Sequence, residues 1–216
     1  MHLNFFKVIK FLKSTNGNSL MEFAVTTAMM AILAATAAPK LSMLTENARM
    51  QKSTAELDKL SRQALSFFQE KAAVEGRGRF PGQEKYNVPV TGIAHVNSSI
   101  SDHRNSVLSD LITNGGTFDN FLASDGSDWV SVFGQANSDF PKPSGTTLAA
   151  DDAGNYIGKN EWIGLFGGEP LGSPFQDGHF VYQVVAGRGS GSKAESPILF
   201  LADLENPSQL HYIIQP

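Results

Sequence analysis

The sequence predicts an α+β protein: a long N-terminal α-helix, membrane-spanning in its first half and amphipathic in its second, packed on a small C-terminal antiparallel β-sheet, with a long irregular insertion between them. Three observations carry this. No charged residue falls between Phe23 and Ala38, and Pro39-Lys40 closes that run. Beyond it, Leu57, Leu60, Ala64, Phe67 or Phe68, and Ala72 recur at steps of three and four, the spacing of one buried helical stripe. The last forty or so residues alternate apolar side chains between turn signals, which is a strand pattern.

The first element is a short leader. Met1–Gly17 carries Lys7, Lys10 and Lys13 and no acid, placing positive charge on the side of the apolar run that stays cytoplasmic. Gly17 and Asn18 precede the box Ser19-Leu20-Met21-Glu22. A carboxylate such as Glu22 beside so apolar a helix is costly in lipid and is therefore a candidate for function. A secretory signal would place its small-residue cut after the run, and the AATAA of Ala34–Ala38 offers such a site. That reading releases a soluble protein starting near Pro39.

Gly17, Ser19, Leu20, Glu22 and Pro39 together resemble the type IV pilin signature. Glu22 is the fifth residue after Gly17, and Pro39 stands seventeen beyond Glu22, both as in that family. Asn18 stands where the family usually has Phe or Met. The run EFAV is also similar to the short pilins of tight-adherence systems, which are far shorter chains. The resemblance implies leader cleavage between Gly17 and Asn18 by a prepilin peptidase, N-methylation at Asn18, assembly through Glu22, and a helix kink at Pro39. It implies self-association into a filament with other pilin-like subunits and an inner-membrane assembly platform. The expected location is the bacterial inner membrane, single-pass with the head in the periplasm, and then an extracytoplasmic filament.

The expected division is a cleaved leader at 1–17, a hydrophobic transmembrane and assembly helix with its extension at 18–52, and a soluble pilin-like head at 53–216. Leu20–Glu75 as one helix would be roughly 80 Å long at about 1.5 Å per residue. Leu41, Met43 and Leu44 extend the apolar run, and Lys40 can snorkel to the interface. Pro39 lacks an amide donor and clashes with the preceding turn, which predicts a kink or local melting over Ala35–Pro39. Glu56, Asp58, Lys59, Arg62 and Glu70 fill the polar face of the second half, and Gly76 and Gly78 end it.

Arg79–Gly82 predicts a turn. Tyr86–Val96, broken by Pro89 and Gly92, reads as a loop or edge strand. Asp102–Ile112 predicts a short helix capped by Ser101 or Asp102 and ended by Asn114-Gly115-Gly116. Thr117–Lys159 is the irregular insertion, anchored by Phe118, Phe121, Trp129, Phe133 and Phe140. Strands are predicted at His179–Ala186, Ile198–Ala202 and Leu210–Ile214, with Gly187–Ser196 a flexible connection between the first two. Together they make a surface on which the helical stripe can be buried. The segment GSPFQDGHFVYQV is loosely similar to the DPWGNPYxY region of the major type II secretion pseudopilin.

Composition sets the remaining bounds. A chain of 216 residues is long enough for one well-buried domain, and 41% hydrophobic content is ordinary for a globular protein. The net charge is −4, and loss of the three leader lysines lowers it to −7. Without basic clusters, nothing points to nucleic acid. There is no cysteine, so no disulfide staples the head. That tilts the reading towards a pseudopilin, while the length and the insertion tilt it towards a pilus subunit.

The chemistry-bearing residues are sparse. His2, His95, His103, His179 and His211 lack metal-ligand spacing. Gly187, Gly189 and Gly191 follow a strand but open no helix, so they form no phosphate cradle. Asp125 with Asp128, Asp151 with Asp152 and Asn155, and Asp203 with Glu205 offer oxygens suited to calcium, but none has EF-hand spacing and turn formation explains them. Trp129 and Trp162 read as core anchors. The expectation is a non-enzymatic filament subunit without a cofactor, calcium being the one ion its acids would suit. The alternatives are a secreted or membrane-anchored periplasmic binding protein that does not polymerise.

Overall fold

The computed structural model describes residues 16–90, 99–112, 129–133, 158–175 and 178–216. The leader lysines, residues 91–96, the Asn114-Gly115-Gly116 stop, and most of the insertion with Phe118, Phe121 and Phe140 lie outside the described residues. The chain divides into two compact units, Met1–Ala48 and Arg49–Pro216.

The architecture is α+β. Helix α1 (Asn16–Glu75) is followed by α2 (Ile100–Ile112), β1 (Val130–Ser131), α3 (Lys159–Leu165), β2 (Phe180–Val185), β3 (Ile198–Asp203) and β4 (His211–Ile214). The four strands form one antiparallel sheet in the order β1-β2-β3-β4. The fourth strand is β1, a two-residue piece inside the segment expected to be irregular. Val130 pairs with Tyr182 and Ser131 with Val181.

Helix α1 continues through Pro39, so the local melting expected around Ala35–Pro39 is not seen. It stops where Gly76 takes a positive φ of 78°, a left-handed position that only glycine adopts freely at a helix end. The turn after it has Pro81 and Gly82 at its centre, with Gln83 N–H donating to Phe80 O at 3.1 Å and Gly82 at φ 85°. Proline fixes the first central φ and glycine supplies the positive second, which is the type II preference. A Cβ at Gly82 would collide with the Tyr182 hydroxyl.

The second unit has one core. Leu57, Leu60 and Ala64 of α1 enter it with Trp129, Trp162, Tyr182, Leu199 and Leu201, all fully buried. Every residue of β2 and β3 is buried, so both faces of these strands are covered. A one-sided apolar alternation is therefore absent, and the register explains why. Phe180, Tyr182 and Val184 share a face with Asp203 and Leu201. Ser53 of α1 bonds Asp203 on that face, and Trp162 of α3 stacks edge-on against Tyr182 at 5.3 Å. Gln183, on the opposite face, meets His103 of α2. Two helices serve one face and a third serves the other.

Helix α2 begins at Ile100, one or two residues before its expected caps. Ser99, rather than Ser101 or Asp102, accepts from the Asp102 amide at 3.0 Å, and its own hydroxyl donates to the Asp102 carboxylate. Serine three residues before an acid satisfies a first-turn amide that the helix leaves unpaired. The β2–β3 connection is folded: Arg188 and Glu195 exchange backbone bonds, and Tyr86 Oη donates to Gly189 O. The Arg77 guanidinium lies over the Tyr86 ring and donates to Gly191 O. The glycines that suggested flexibility instead provide the positive φ angles of Gly189 and Gly191.

Candidate functional site

The apolar part of α1 is the feature with no globular explanation. Eleven large apolar side chains between Leu20 and Leu44 are exposed, among them Phe23 at 71% and Met30 at 70%. The helix is long and apolar enough to cross a membrane, and none of its most apolar stretch is buried. A membrane anchor and an N-terminal signal sequence both meet that description.

Its polar groups follow a simple rule. Between Leu20 and Pro39 the only polar side chains are Glu22, Thr26, Thr27 and Thr36. Thr26 Oγ1 donates to the carbonyls of Glu22 and Phe23, and Thr27 to that of Phe23 at 2.7 Å. Thr36 donates to Ile32 and Leu33, both at 3.1 Å. A threonine hydroxyl bonded to the preceding turn needs nothing from its surroundings. The Glu22 carboxylate has no hydrogen bond or ion pair among the described residues. The segment thus presents one uncompensated polar group. No family model, curated protein or solved structure matches the chain. A long apolar N-terminal helix whose later part packs on a small antiparallel sheet remains compatible with a pilin-like fold.

The other expected site residues fall as follows. Gly17 and Asn18 lie in the first turn of α1, and Pro39 lies inside it. The threonine bonds and a second pattern were missed in the sequence. Ala24, Ala28, Ala31, Ala35 and Ala38 recur at steps of four and three, so they share one face. At 100° per residue, Glu22, Met29 and Leu33 lie on roughly the opposite face. The spacing alone would have revealed it.

In the second unit, Asp203 and the described histidines have structural partners. Asp203 is fully buried, and its carboxylate accepts from Ser53 Oγ at 2.5 Å, Ser173 Oγ at 2.7 Å and the Glu205 amide at 3.2 Å. A Cβ at Gly178 would collide with Ser173 and the same carboxylate. His179 Nε2 lies 2.6 Å from Ser131 Oγ, His103 Nε2 lies 3.3 Å from Gln183 Nε2, and His211 Nδ1 lies 2.8 Å from Pro207 O. Among the described residues, no three His, Cys, Asp or Glu side chains form a group able to hold a metal. The acids at 125, 128, 151 and 152 lie outside them, as do Asn155, His2 and His95.

Arg79 joins three segments. It donates to Glu75 at the end of α1, to Gln83 O and to Glu161 of α3 at 2.9 Å. Burial works against its charge, but the bonds to Glu161 and then Glu75 outweigh burial and raise its pKa. Burial also pushes the Tyr182 phenol well above its ordinary value. Trp129 and Trp162 are both fully buried in the core.

Proposed function

We propose that the chain is a structural subunit of a type IV pilus-like or type II secretion pseudopilus filament, cut after Gly17, held in the inner membrane by α1 and polymerised through it. The head stands in the periplasm before assembly. The observation that carries this reading is the lone carboxylate of Glu22 on an exposed apolar helix whose other polar side chains are satisfied internally.

In an apolar environment, an unpaired carboxylate is penalised by several kcal/mol. Cleavage between Gly17 and Asn18 creates an amine, and the Asn18 amine of a neighbouring copy is a partner of opposite charge. Pairing removes the penalty and fixes the axial register between copies. The two faces of the helix support the same reading. A small-residue face lets another backbone approach closely, and it lies opposite the ridge of Glu22, Met29 and Leu33. Two complementary faces on opposite sides make a heterologous contact, which generates open helical polymers rather than closed dimers.

Two measurements on the cell-derived protein test this. Intact mass should show a mature chain beginning at Asn18, and a start at or beyond Pro39 would replace the filament reading with a released soluble protein. Glu22→Ala should insert into the membrane normally and fail to assemble, because breaking a buried pair from one side costs about 3–5 kcal/mol. Glu22→Gln should be intermediate. Normal fibres from the alanine variant, at normal membrane abundance, would remove Glu22 from assembly and favour an anchored binding protein.

A further inference from the structure

We propose that the Lys40 ammonium of one copy donates to the Ala35 carbonyl of the next, a second polar contact between the two helices that Glu22 and the Asn18 amine join. The contact rests on the filament reading above. Pro39 creates its acceptor. A helix carbonyl is normally met by the N–H four residues on, and four residues beyond Ala35 stands Pro39, which has no N–H to give. Helix α1 nevertheless runs on to Glu75, so the Ala35 carbonyl remains in the helix wall without its usual donor. The adjacent Thr36 hydroxyl does not replace it, being bonded to Ile32 and Leu33. A carbonyl left this way in apolar surroundings is unfavourable. Ala35 is exposed, and its side chain is small enough for another helix to come close.

Lys40 is the donor in want of a partner. It is exposed, and its ammonium has no hydrogen bond or ion pair among the described residues. Leu41, Met43 and Leu44 beyond it are exposed too, so the cation stands inside the apolar stretch rather than past its end. In lipid its long stem can carry the charge to the interface. Between packed helices water is excluded, and a nearby acceptor takes its place. A hydrogen bond from an ammonium is stronger than one between neutral groups.

Spacing makes the two contacts compatible. Lys40 stands eighteen residues after Glu22, five turns of about 3.6 residues, so both lie on one ridge about 27 Å apart. On the neighbouring copy Ala35 stands seventeen residues after Asn18, about 26 Å along the axis, and its carbonyl oxygen points on towards the C-terminus. One axial offset of about four residues, roughly 6 Å, therefore satisfies both pairs at once. A Lys40–Glu22 contact between copies would instead need an offset of about 27 Å and would leave the amine and the carbonyl unmet. The donor lies on the ridge and the acceptor on the opposite, small-residue face, as a heterologous contact requires.

Sheared-fibre yield at matched membrane abundance tests this. Lys40→Met should lower the yield about tenfold, and Lys40→Arg, which keeps a charged donor, should stay near the parent. Pro39→Ala returns an N–H to the Ala35 carbonyl and so should lower the yield as well, while adding Lys40→Met to it should lower it no further. Because the chain has no cysteine, fibres mixed from Ala35→Cys and Lys40→Cys subunits should form a disulfide-linked dimer on oxidation, and fibres mixed from Ala24→Cys and Lys40→Cys subunits should not. Parent-level yield from Lys40→Met, additive losses in the double variant, or no dimer from the first mixture would overturn the contact. Glu22→Ala without fibres beside Lys40→Met at parent level overturns this contact alone, whereas a parent chain that gives no fibres overturns the filament reading with it.

Discussion

Asp203 shows how much one side chain can fix. It closes β3, is fully buried, and gathers hydroxyls from α1 and from the segment before β2 onto one carboxylate. In the sequence it looked like one of several acids in a turn, and its neighbour Glu205 made calcium a natural thought. The residues that occupy it are Ser53, far away in the chain, and Ser173; no local pattern announces a pairing across such separations. Asp203→Ala leaves both hydroxyls without their acceptor in a buried place. Its expected effect is a loss of about 3 kcal/mol of stability, measured by urea unfolding. Ser53→Ala should cost less, about 1 kcal/mol, because the carboxylate keeps its other two donors.

At the scale of elements, what was legible followed from the apolar pattern and its turn punctuation. The three long strands and the two ends of α1 stand close to their expected bounds, because apolar runs between turn residues survive in a single sequence. The two-residue β1 is too short to have a period, and α3 spans only two turns. Ser99 was passed over as a cap because Ser101 and Asp102 also carry capping side chains. The doubly covered sheet was not legible either, since α2 declares an apolar face without saying what it packs against. The alanine face of α1 was readable, and it sets a prediction. Ala31→Leu adds volume at its middle without adding charge. Membrane insertion should be unchanged, while filament assembly should drop about tenfold or more, since overpacking a close seam costs about 1–3 kcal/mol. Met29→Leu, on the opposite face, keeps its volume and should assemble nearly as well as the parent. Sheared-fibre yield at matched membrane abundance separates the two.

At the scale of the whole molecule, the division after Ala48 gives the cleanest handle. Residues 49–216 hold the core, the Arg79 junction and Ser53, and they leave out the exposed apolar side chains from Leu20 to Leu44. This segment should be a soluble monomer with one cooperative melting transition that does not respond to reductant, as the chain has no cysteine. Light scattering and calorimetry check both points. Starting instead at Thr54 removes Ser53 and should lower the midpoint. An aggregated 49–216 fragment would mean that the first helix shields part of the body.

The threonines carry a last consequence. With their hydroxyls already spent on the preceding turn, the segment from Phe23 to Ala38 has the same internal wiring in lipid, in detergent or against another protein. Moving it between such phases makes and breaks no side-chain hydrogen bonds, so packing of its two faces and one ionic contact decide where it resides. On the proposed function, such a subunit is withdrawn from its reservoir and returned to it with little hysteresis, and fibres that shorten would give back intact monomers.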